Sequence, residues 1–380
     1  MTNFKIEGKE IYYSLDDLVS DQIKIISTPF NYSVRFVDEK DLAEILVTIK
    51  KKNKDKHFVF IDHIVNKLYS KTIFKNQKTF PLIVKETNKT LPTVTKVLDE
   101  LQRRNITKKE IFLSAGGGIT QDVSSFTRAV FKRGINWTYL PTTLLAMADS
   151  CIGAKACLNY DGIKNLLGLF SAPSEIFIYP GFLNSLDHRD ILSGYGEIIK
   201  LSIVGGQGSI DAFNKIKSKQ DGNLVKGIDQ MIKLSLLIKK SVIEIDEYEY
   251  NIRKALNYGH TVGHAIEPLV NYKIPHGISV SLGMVIENKI AREFGDLPTK
   301  DCEIMNNLIA PFIDKASLNH LKGVSAKSII KNMKRDKKTL DNDIYMAVPS
   351  AIGNFNMLKV SSDISFEKFL SKTIKEVMNS

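Results

Sequence analysis

Hydrophobic and polar positions predict strands and helices in alternation along the first half of the chain. Short apolar, β-rich runs are separated by segments whose apolar residues recur at helical spacing. We predict strands at His57–Ile61, Phe80–Val84, Ile111–Ala115 and Asn136–Leu140, and helices at Leu91–Arg104 and Gln121–Lys132. Such alternation is typical of parallel βαβ units, so it predicts a doubly wound α/β domain with a Rossmann-like parallel sheet.

The pattern differs on either side of this region. Before it, strands at Phe4–Ser14 and Tyr32–Phe36 and a helix at Asp38–Lys50 predict a β-rich extension over residues 1–55, packed on the first domain. The α/β domain then covers residues 56–185, and residues 186–380 form a helical domain. Its predicted elements are helices at Asp190–Val204, Leu224–Glu244, 250–270, 276–294 and 300–313, a hairpin from Ile344–Val348 to Asn354–Val360, and a helix at Phe366–Met378.

Composition narrows the class of protein. The chain has 380 residues, 43% of them hydrophobic, which is enough for two domains with sizeable cores. No run approaches the roughly 18 apolar residues of a membrane span, and the N-terminal residues carry no apolar signal region. The net charge of +11 is scattered, without a basic stripe interleaved with aromatics. It therefore favours a solvated surface and a small anionic substrate over nucleic acid.

The three cysteines give an expectation about the compartment. Cys151, Cys157 and Cys302 show neither a disulfide pattern nor a Cys-x-x-Cys pair. A reducing cytoplasm is the simplest interpretation.

One polar stripe stands out among the predicted helices. Glu249, Arg253, Asn257, His260 and His264 follow one another at steps of three or four residues. In a continuous helix they would share one face. Burying such a face is costly unless a ligand or metal satisfies it. The stripe therefore predicts a functional site.

Three of the seven histidines lie within seventeen residues, at positions 260, 264 and 276. A lone histidine is usually a hydrogen-bonded core or surface residue, but this clustering favours a metal or catalytic site. It is not the His-Glu-x-x-His motif, because Thr261 occupies the glutamate position. Imidazoles with an oxygen ligand and open positions suit Zn, Co or Fe(II).

Two features of the first half suggest phosphate-bearing ligands. Gly116, Gly117 and Gly118 lie between a predicted strand and a predicted helix, where glycines let the backbone approach a phosphate. An ordinary tight turn is the alternative. Asp62 closes an earlier strand and could bind a ribose hydroxyl, although an Asp after a strand is most often a helix cap.

Further polar residues follow in a glycine-rich stretch. Asp149, Lys155, Lys164 and Asn165 suit a loop over a phosphorylated substrate, with an ordinary polar loop as the alternative.

Together these stretches resemble one family over about residues 56–360. The motifs are Glu86-Thr-Asn-Lys89-Thr-Leu, Gly116-Gly-Gly-Ile-Thr-Gln-Asp122, Arg133-Gly134, Pro141-Thr-Thr-Leu-Leu-Ala146, Asp149-Ser-Cys-Ile-Gly-Ala-Lys155, Lys164-Asn165, Gly196-Glu197-Ile-Ile-Lys200, Arg253-x-x-x-Asn257-Tyr-Gly-His260-Thr-Val-Gly-His264-Ala-Ile-Glu, His276-Gly277 and Asp336-Lys-Lys. In order and spacing they resemble 3-dehydroquinate synthase and its relatives, the sugar phosphate cyclases.

The resemblance implies a dehydroquinate synthase-like fold, with an N-terminal domain that binds NAD and a helical C-terminal domain that binds one divalent metal, Zn or Co. It implies Glu197, His260 and His276 as metal ligands, and His264 as a substrate contact and proton-transfer group rather than a ligand. The implied NAD positions are Asp62, Glu86, Lys89, Gly116, Gly117, Gly118, Asp122, Thr142, Thr143 and Lys164. The implied substrate positions are Asp149, Lys155, Asn165, Lys200, Lys239, Arg253, Asn257 and one of Lys337 and Lys338.

Among these, Lys155 and Lys200 are also expected to take part in catalysis, together with His264 and Glu249, a proton-transfer position. Arg133 matches a residue that reaches the substrate of a neighbouring subunit, so a homodimer is expected.

The implied activity is that of a phosphate-eliminating lyase which closes a carbocycle, most simply 3-dehydroquinate synthase in the shikimate pathway. Departures such as Lys85 before Glu86 and Gln121 before Asp122 indicate a divergent member, which leaves open a cyclase of another sugar phosphate. Two further alternatives are a metal-dependent alcohol dehydrogenase and a non-catalytic basic binding protein. The many phosphate-type cations disfavour the dehydrogenase, and the complete ligand set disfavours the binding protein.

Overall fold

The computed structural model describes residues 2–27, 30–54, 56–83, 85–336 and 343–379. Its strands are β1 Thr2–Ile6, β2 Lys9–Tyr13, β3 Gln22–Ile25, β4 Tyr32–Phe36, β5 Phe58–Asp62, β6 Thr79–Leu82, β7 Phe112–Gly116, β8 Trp137–Pro141, β9 Lys155–Tyr160, β10 Ile163–Phe170, β11 Glu175–Ile178, β12 Asp343–Ala351 and β13 Asn354–Ser361. Its α-helices are α1 Glu39–Lys52, α2 His63–Tyr69, α3 Leu91–Arg103, α4 Gly118–Val130, α5 His188–Val204, α6 Gln207–Lys217, α7 Ile228–Ile243, α8 His260–Ile266, α9 His276–Phe294, α10 Thr299–Ile309, α11 Lys315–His320, α12 Ala326–Asp336 and α13 Ile364–Asn379.

The chain divides into two compact units. One is the continuous segment Val19–Leu186 and contains the large sheet. The other combines the segment up to Leu18 with the segment from Asp187 onward, and most of its elements are helices. No helix among the described residues is both long enough and apolar enough to cross a membrane.

The α/β unit is built on a sheet with the strand order β3-β4-β11-β8-β7-β5-β6. All pairings in it are parallel except that of β3 with β4, which confirms the predicted parallel sheet. The central strands β7 and β8 are buried at every position. Parallel strands covered on both faces carry continuous apolar runs, which is why their sequences lack strict alternation.

The carboxyl ends of three adjacent strands lie side by side at one edge of this sheet. They are Asp62 on β5, Gly116 on β7 and Pro141 on β8. In open α/β sheets, ligands bind at this edge. The topology thus brings the aspartate, the glycine turn and the Pro-Thr-Thr sequence of the predicted NAD site to one place.

In the helical unit, glycines allow three helices to approach closely. A methyl group added at Gly277 on α9 would lie 1.7 Å from the Ser193 carbonyl oxygen on α5. One added at Gly196 on α5 would lie 2.1 Å from the Gly277 carbonyl oxygen, and one at Gly283 on α9 would lie 1.9 Å from the Gly259 carbonyl oxygen beside α8. Side chains larger than hydrogen therefore do not fit at these contacts.

The N-terminal segment is divided between the two units after Leu18, which corrects the expected boundary at residue 55. Strand β1 pairs in parallel with β13, and the resulting sheet has the order β12-β13-β1-β2. Lys5 N–H donates to the Gly353 carbonyl at 2.6 Å, and Tyr13 Oη donates to the Gly205 carbonyl at 3.2 Å. The predicted hairpin of β12 and β13 offers an edge, and β1 occupies it. Residues from Val19 onward belong to the α/β unit.

The continuous helix predicted over residues 250–270 is wrong. A 3₁₀ turn at Ile252–Asn257 is followed by an extended Tyr258 and a left-handed Gly259, and only then does α8 begin. Glu249 is also left-handed, with φ of 62°. Glycine tolerates the left-handed region at no steric cost, so the helical spacing is interrupted there.

The glycine-rich stretch after β8 is not a simple loop. It holds a π-helical turn at Ala146–Ser150 and the antiparallel pair of β9 and β10.

Candidate active site

Glu197 is the centre of a polar cluster inside the helical unit. It lies on α5, is fully buried, and follows the close-contact glycine Gly196. Its Oε1 is 3.5 Å from His260 Nε2 and 3.3 Å from His276 Nε2. His260 opens α8 and His276 opens α9, so three helices each contribute one side chain.

The spacing of these three donors suits one small metal ion. Donors at 2.0–2.2 Å from a tetrahedral centre are separated by about 3.4 Å, close to the two distances observed here. Glu197 Oε1 is buried and accepts no hydrogen bond within the described structure. An orphaned buried carboxylate oxygen costs free energy unless something satisfies it, and a divalent cation would do so.

A neighbouring lysine favours the ionised form of the Glu197 carboxylate. Lys200, one turn along α5 and 2% exposed, places Nζ 2.5 Å from Glu197 Oε2. Burial raises the pKa of Glu197, but Lys200, His260 and His276 together outweigh burial and hold the pKa well below its usual range. Burial and Lys200 lower the pKa of His260 to about 3, so that imidazole is neutral at physiological pH. Neutral imidazole is the form that binds metals.

Hydrogen bonds set the ring orientation of both histidines. His276 Nδ1 lies 2.7 Å from Oε1 of the buried Glu267, and His260 Nδ1 lies 3.1 Å from the Tyr258 carbonyl oxygen. Each contact leaves Nε2 directed at Glu197. Carboxylate or carbonyl partners of this kind fix the tautomer of metal-binding histidines.

His264 belongs to the same cluster. The rings of residues 260, 264 and 276 each place one nitrogen within 4.8 Å of the others, so the geometry also permits a ligand set of three histidines. Its ring centroid is 5.1 Å from that of His260 and 5.5 Å from that of His276. The Glu197 carboxylate, however, lies within 3.5 Å of His260 and His276, and these contacts favour the set of Glu197 and those two histidines.

The loop before α8 carries the other residues of the polar stripe. Glu249 Oε1 accepts a hydrogen bond from Asn257 Nδ2 at 2.5 Å, and the Arg253 guanidinium donates to the Glu247 carbonyl oxygen. Asp246 accepts backbone hydrogen bonds from Tyr250, Asn251 and Arg253 at 2.8–3.0 Å. Burial raises the pKa of Asp246, but these three hydrogen bonds together with the Arg253 charge outweigh burial, so the pKa lies below its usual value.

Glu249 and Asn257 face a cavity of about 690 Å³ within the helical unit. Its remaining lining residues are Glu7, Asn251, Lys254, Tyr345, Ala347 and Met357. Ligand pockets usually have volumes of about 300–1,000 Å³, so this cavity is large enough for a small molecule.

The remaining predicted substrate residues of this unit are Lys239 and one of Lys337 and Lys338. Lys239 lies on α7 and is 7% exposed. Lys337 and Lys338 lie outside the described residues.

In the α/β unit, the glycine triplet forms the predicted turn between β7 and α4. Gly117 caps α4, whose N-terminus lies at the carboxyl edge of the sheet. Thr142 N–H donates to the Gly116 carbonyl at 3.0 Å, which joins the turn to the Pro-Thr-Thr sequence. A methyl group on Gly117 would lie 3.0 Å from the Thr143 side chain, so this turn is closely packed.

Lys89 is the centre of a second polar cluster. It is 4% exposed, and its Nζ contacts Asp122 Oδ2 at 3.1 Å, Asn165 Oδ1 at 2.6 Å and Glu86 Oε1 at 3.7 Å. Burial lowers the pKa of Lys89, but Asp122 and Glu86 raise it above its usual value. Burial raises the pKa of Asp122 more than Lys89 lowers it, so the ammonium offsets only part of the desolvation of that carboxylate.

The other predicted residues of this unit lie on several different elements. Asp62 caps α2, where Oδ1 accepts from Ile64 N–H at 2.8 Å, as the alternative interpretation of an Asp after a strand expected. Asp149 lies in the π-helical turn, Lys155 opens β9, and Lys164 lies on β10. Arg133 is exposed and left-handed, with φ of 63°.

Sequence reasoning missed several residues that support these clusters. Glu267 was visible only as the end of the His264-Ala-Ile-Glu motif. Asn159 Nδ2 donates to Glu86 Oε1 at 2.8 Å, and Gln121 exchanges hydrogen bonds of 2.7 Å with Ser150. Glu267 and Asn159 each lie between apolar neighbours in the sequence, which was the available signal.

Solved structures of similar architecture cover nearly the whole chain. A 2-deoxy-scyllo-inosose synthase complexed with carbaglucose-6-phosphate, NAD⁺ and Co²⁺ has a TM-score of 0.80 at 22% identity, over 93% of this chain and 99% of that chain. The 2-epi-5-epi-valiolone synthase from Streptomyces hygroscopicus, with NAD⁺ and Zn²⁺ bound, has a TM-score of 0.75 at 20% identity, over 92% and 99%. An iron-containing alcohol dehydrogenase scores 0.60 at 17% identity, over 94% and 99%. The chain therefore has the dehydroquinate synthase-like fold, with an α/β unit and a helical unit.

Sequence comparison narrows this class to one family. Family models described as 3-dehydroquinate synthase N-terminal and C-terminal match residues 79–193 and 194–339. The 3-dehydroquinate synthase of Streptococcus pyogenes serotype M6 is 31% identical over 342 residues, which cover 88% of this chain and 93% of the relative. That of Clostridium acetobutylicum is 32% identical over 347 residues, which cover 89% and 96%. The chain belongs to the 3-dehydroquinate synthase family.

Proposed function

We propose that this chain is an NAD- and divalent-metal-dependent lyase that eliminates phosphate and closes a carbocycle. The specific reaction is that of 3-dehydroquinate synthase, which converts 3-deoxy-arabino-heptulosonate 7-phosphate to 3-dehydroquinate and phosphate. The observation that carries the proposal is the buried Glu197 carboxylate, 3.3–3.5 Å from two imidazole nitrogens and salt-bridged to Lys200.

In this proposal Glu197, His260 and His276 hold one Zn or Co ion. The fit rests on the donor spacing and on the orphaned Glu197 oxygen. A bound divalent ion would polarise a substrate hydroxyl and stabilise the negative charge that develops on its oxygen. The related structures named above contain Co²⁺ or Zn²⁺, which supports this choice of metals.

The residues of the α/β unit that would hold NAD are Asp62, Glu86, Lys89, Gly116, Gly117, Gly118, Asp122, Thr142, Thr143 and Lys164. Support comes from the placement of Asp62 and the glycine turn at the carboxyl edge of the sheet. Further support comes from the contacts of Glu86 and Asp122 with Lys89. Bound NAD would take one hydride from the substrate and return it later, so that none is consumed.

The proposed proton-transfer groups are His264 and Glu249. His264 lies beside the two histidine ligands, and Glu249 faces the cavity while hydrogen-bonded to Asn257. Lys200 and Lys155 would stabilise negative charge on the substrate as cations. Asp149, Asn165 and Lys239 complete the proposed substrate contacts, with Lys337 in the part of the chain outside the described residues.

We propose that the substrate carries a carboxylate as well as a phosphate. Arg253 is 2% exposed, and one of its nitrogens already donates to the Glu247 carbonyl. A guanidinium is a planar fork of N–H donors, a shape that matches the two oxygens of a carboxylate. The neighbouring Asn257 amide could bind the same group. These features favour a keto acid phosphate over a neutral sugar phosphate.

The assay that tests the reaction class compares two products. Purified protein with NAD, Co²⁺ and the keto acid phosphate should release stoichiometric inorganic phosphate without accumulation of NADH. Accumulation of NADH without phosphate would instead identify an alcohol dehydrogenase. Mass spectrometry of the product would identify the carbocycle.

A second assay tests the substrate class. Wild-type protein should turn over the keto acid phosphate in strong preference to sedoheptulose 7-phosphate, which lacks the carboxylate. Arg253→Ala should lose about 2–3 kcal/mol of that preference, the strength of a charge-assisted hydrogen bond. Equal or better turnover of the neutral sugar by the wild type would make this protein a cyclase of another sugar phosphate.

We further propose a homodimer in a reducing cytoplasm. The exposed left-handed Arg133 suits a contact with the substrate of a second copy. Tyr160, Ile163, Leu166 and Phe170 leave an exposed apolar surface on the pair of β9 and β10, which a second copy could cover. All three cysteines are free thiols, which suits a reducing compartment.

A further inference from the structure

Helix α8, which carries His260 and His264, begins without a cap from its own segment. Its N-cap residue is Gly259, which has no side chain and is left-handed with φ of 80°. The N–H groups of a first helical turn have no partner inside the helix, so they need acceptors from elsewhere. Serine, threonine or aspartate would normally supply one.

Here the acceptors come from a neighbouring helix. Glu287, in the middle of α9 and fully buried, accepts from Gly259 N–H at 2.6 Å with Oε2 and from Val262 N–H at 2.9 Å with Oε1. These two donors lie on either side of His260. A carboxylate that accepts two backbone N–H groups in a buried place holds that turn far more firmly than an exposed cap would.

The next residue of α9 holds the preceding turn. Asn288 is also fully buried, and its Oδ1 accepts from Tyr258 Oη at 2.6 Å. The Tyr258 carbonyl oxygen is in turn the partner of His260 Nδ1 at 3.1 Å. A carbonyl only accepts hydrogen bonds, so Nδ1 carries the proton and Nε2 presents its lone pair towards Glu197.

The space between the two helices leaves few other ways to fix this turn. A methyl group on Gly259 would lie 2.5 Å from Met284 and 2.7 Å from the Val280 carbonyl oxygen, both on α9. A side chain at that position, which could cap α8 locally, is therefore excluded. Glu287 and Asn288 on α9 supply the hydrogen bonds that fix this turn instead.

We propose that Glu287 and Asn288 are positioning residues that set the depth and ring tautomer of His260 as a metal ligand. This inference rests on the proposed function, because it takes His260 as a ligand. The two residues act through the Tyr258–Val262 backbone and the Tyr258 side chain, and touch neither metal nor substrate.

The test is a Co²⁺ titration of the metal-free full-length protein, followed by the visible d–d absorption of the complex. Glu287→Gln replaces one acceptor oxygen with an NH₂ group that faces a backbone N–H. We expect Co²⁺ affinity to fall by about tenfold or more, in the range found for partners that orient ligands. We also expect the absorption spectrum to change, because the His260 nitrogen is displaced.

Two further variants separate positioning from general destabilisation. Phe213→Leu removes part of a buried aromatic contact with Phe312 in the same unit, so it should lower the melting temperature and leave Co²⁺ affinity and spectrum unchanged. Tyr258→Phe keeps the ring and removes only the hydroxyl bonded to Asn288. It should weaken Co²⁺ binding by a smaller factor, and it carries the test if Glu287→Gln does not fold.

Each outcome has one meaning. Wild-type affinity and spectrum in folded Glu287→Gln, or in Tyr258→Phe if the first variant does not fold, would overturn the positioning role. An equal loss of affinity in Phe213→Leu would overturn it as well, because destabilisation alone would then explain the effect. Failure of the wild type to bind Co²⁺ would instead reject the proposed metal site itself.

Discussion

The close contact of α5 and α9 makes Gly277→Ala a direct test of how the proposed metal ligands are held. Gly277 follows His276 on α9, and its added methyl would lie 1.7 Å from the Ser193 carbonyl oxygen on α5. That helix also carries Glu197. The obstacle is backbone, which cannot rotate away as a flexible side chain can.

The size of the disturbance follows from the geometry. Moving the methyl from 1.7 Å to the 3.0 Å that real Cβ contacts need requires a shift of about 1.3 Å between the two helices. His276 Nε2 and Glu197 Oε1, now 3.3 Å apart, would separate by a comparable amount. Functional geometry tolerates only about 0.5 Å, so we expect metal affinity to fall by about 100-fold or more. Overpacking costs about 1–3 kcal/mol, which lowers the melting temperature by roughly 3–10 °C.

Metal affinity would be measured by titration with Co²⁺, and stability by thermal unfolding with and without a chelator. Gly208→Ala is the matched control, because Gly208 is also helical and the nearest atoms to its added methyl belong to the Thr2 side chain rather than to backbone. The gain in helix propensity, about 1 kcal/mol, is common to both variants. If Gly277→Ala bound Co²⁺ as tightly as Gly208→Ala, the close contact would not be what holds the ligands together.

Three other experiments have defined outcomes. Lys89→Met leaves the Asp122 carboxylate without its cation, so NAD should bind at least about tenfold more weakly and the free energy of unfolding should fall by about 3 kcal/mol; unchanged values in calorimetry and denaturant unfolding would contradict this. The pKa of Asp246 is lowered in the folded state, so its contribution to stability is complete above the unfolded pKa and is lost as the pH falls through the folded value. Stability measured from pH 6 down to pH 3 should therefore fall more steeply in the wild type than in Asp246→Asn, and parallel curves would exclude that role. Mixed Arg133→Ala and His260→Ala subunits, each inactive alone, should recover about a quarter of wild-type activity if a dimer shares its sites; demonstrated heterodimers without activity would count against sharing.

The sequence predicted the α/β unit well because its signals are local. Strands β5, β7 and β8 are short apolar runs, and helices with clear periodicity follow β7 and precede it. The turn at Gly116–Gly118 and the hairpin of β12 and β13 were also recognisable from residues adjacent in the chain. The elements missed in this unit include β3, α2, β11 and the β9–β10 pair, which are short or carry exposed apolar residues without alternation.

The candidate site was harder because it depends on contacts between distant segments. Spacing alone suggested that His260 and His264 act together, whereas contacts to Glu197 single out His260 and His276. The face that Glu249 was expected to share with the histidines is interrupted by the left-handed Gly259. Glu287 gives no pattern at all in the sequence, since its partners are backbone N–H groups 25 and 28 residues earlier.

The pairing of β1 with β13 affects the order in which the chain can fold during synthesis. Lys5 pairs with Asn354, so the ribosome completes the rest of this sheet long after β1 and β2 have emerged. The α/β unit, by contrast, is one continuous segment, Val19–Leu186, and all its strands are available early. Contacts of such high sequence separation form late, because a long loop must close first. We therefore expect the β1–β2 hairpin to keep an unpaired edge, open to chaperones and to pairing with other chains, until β13 has been synthesised.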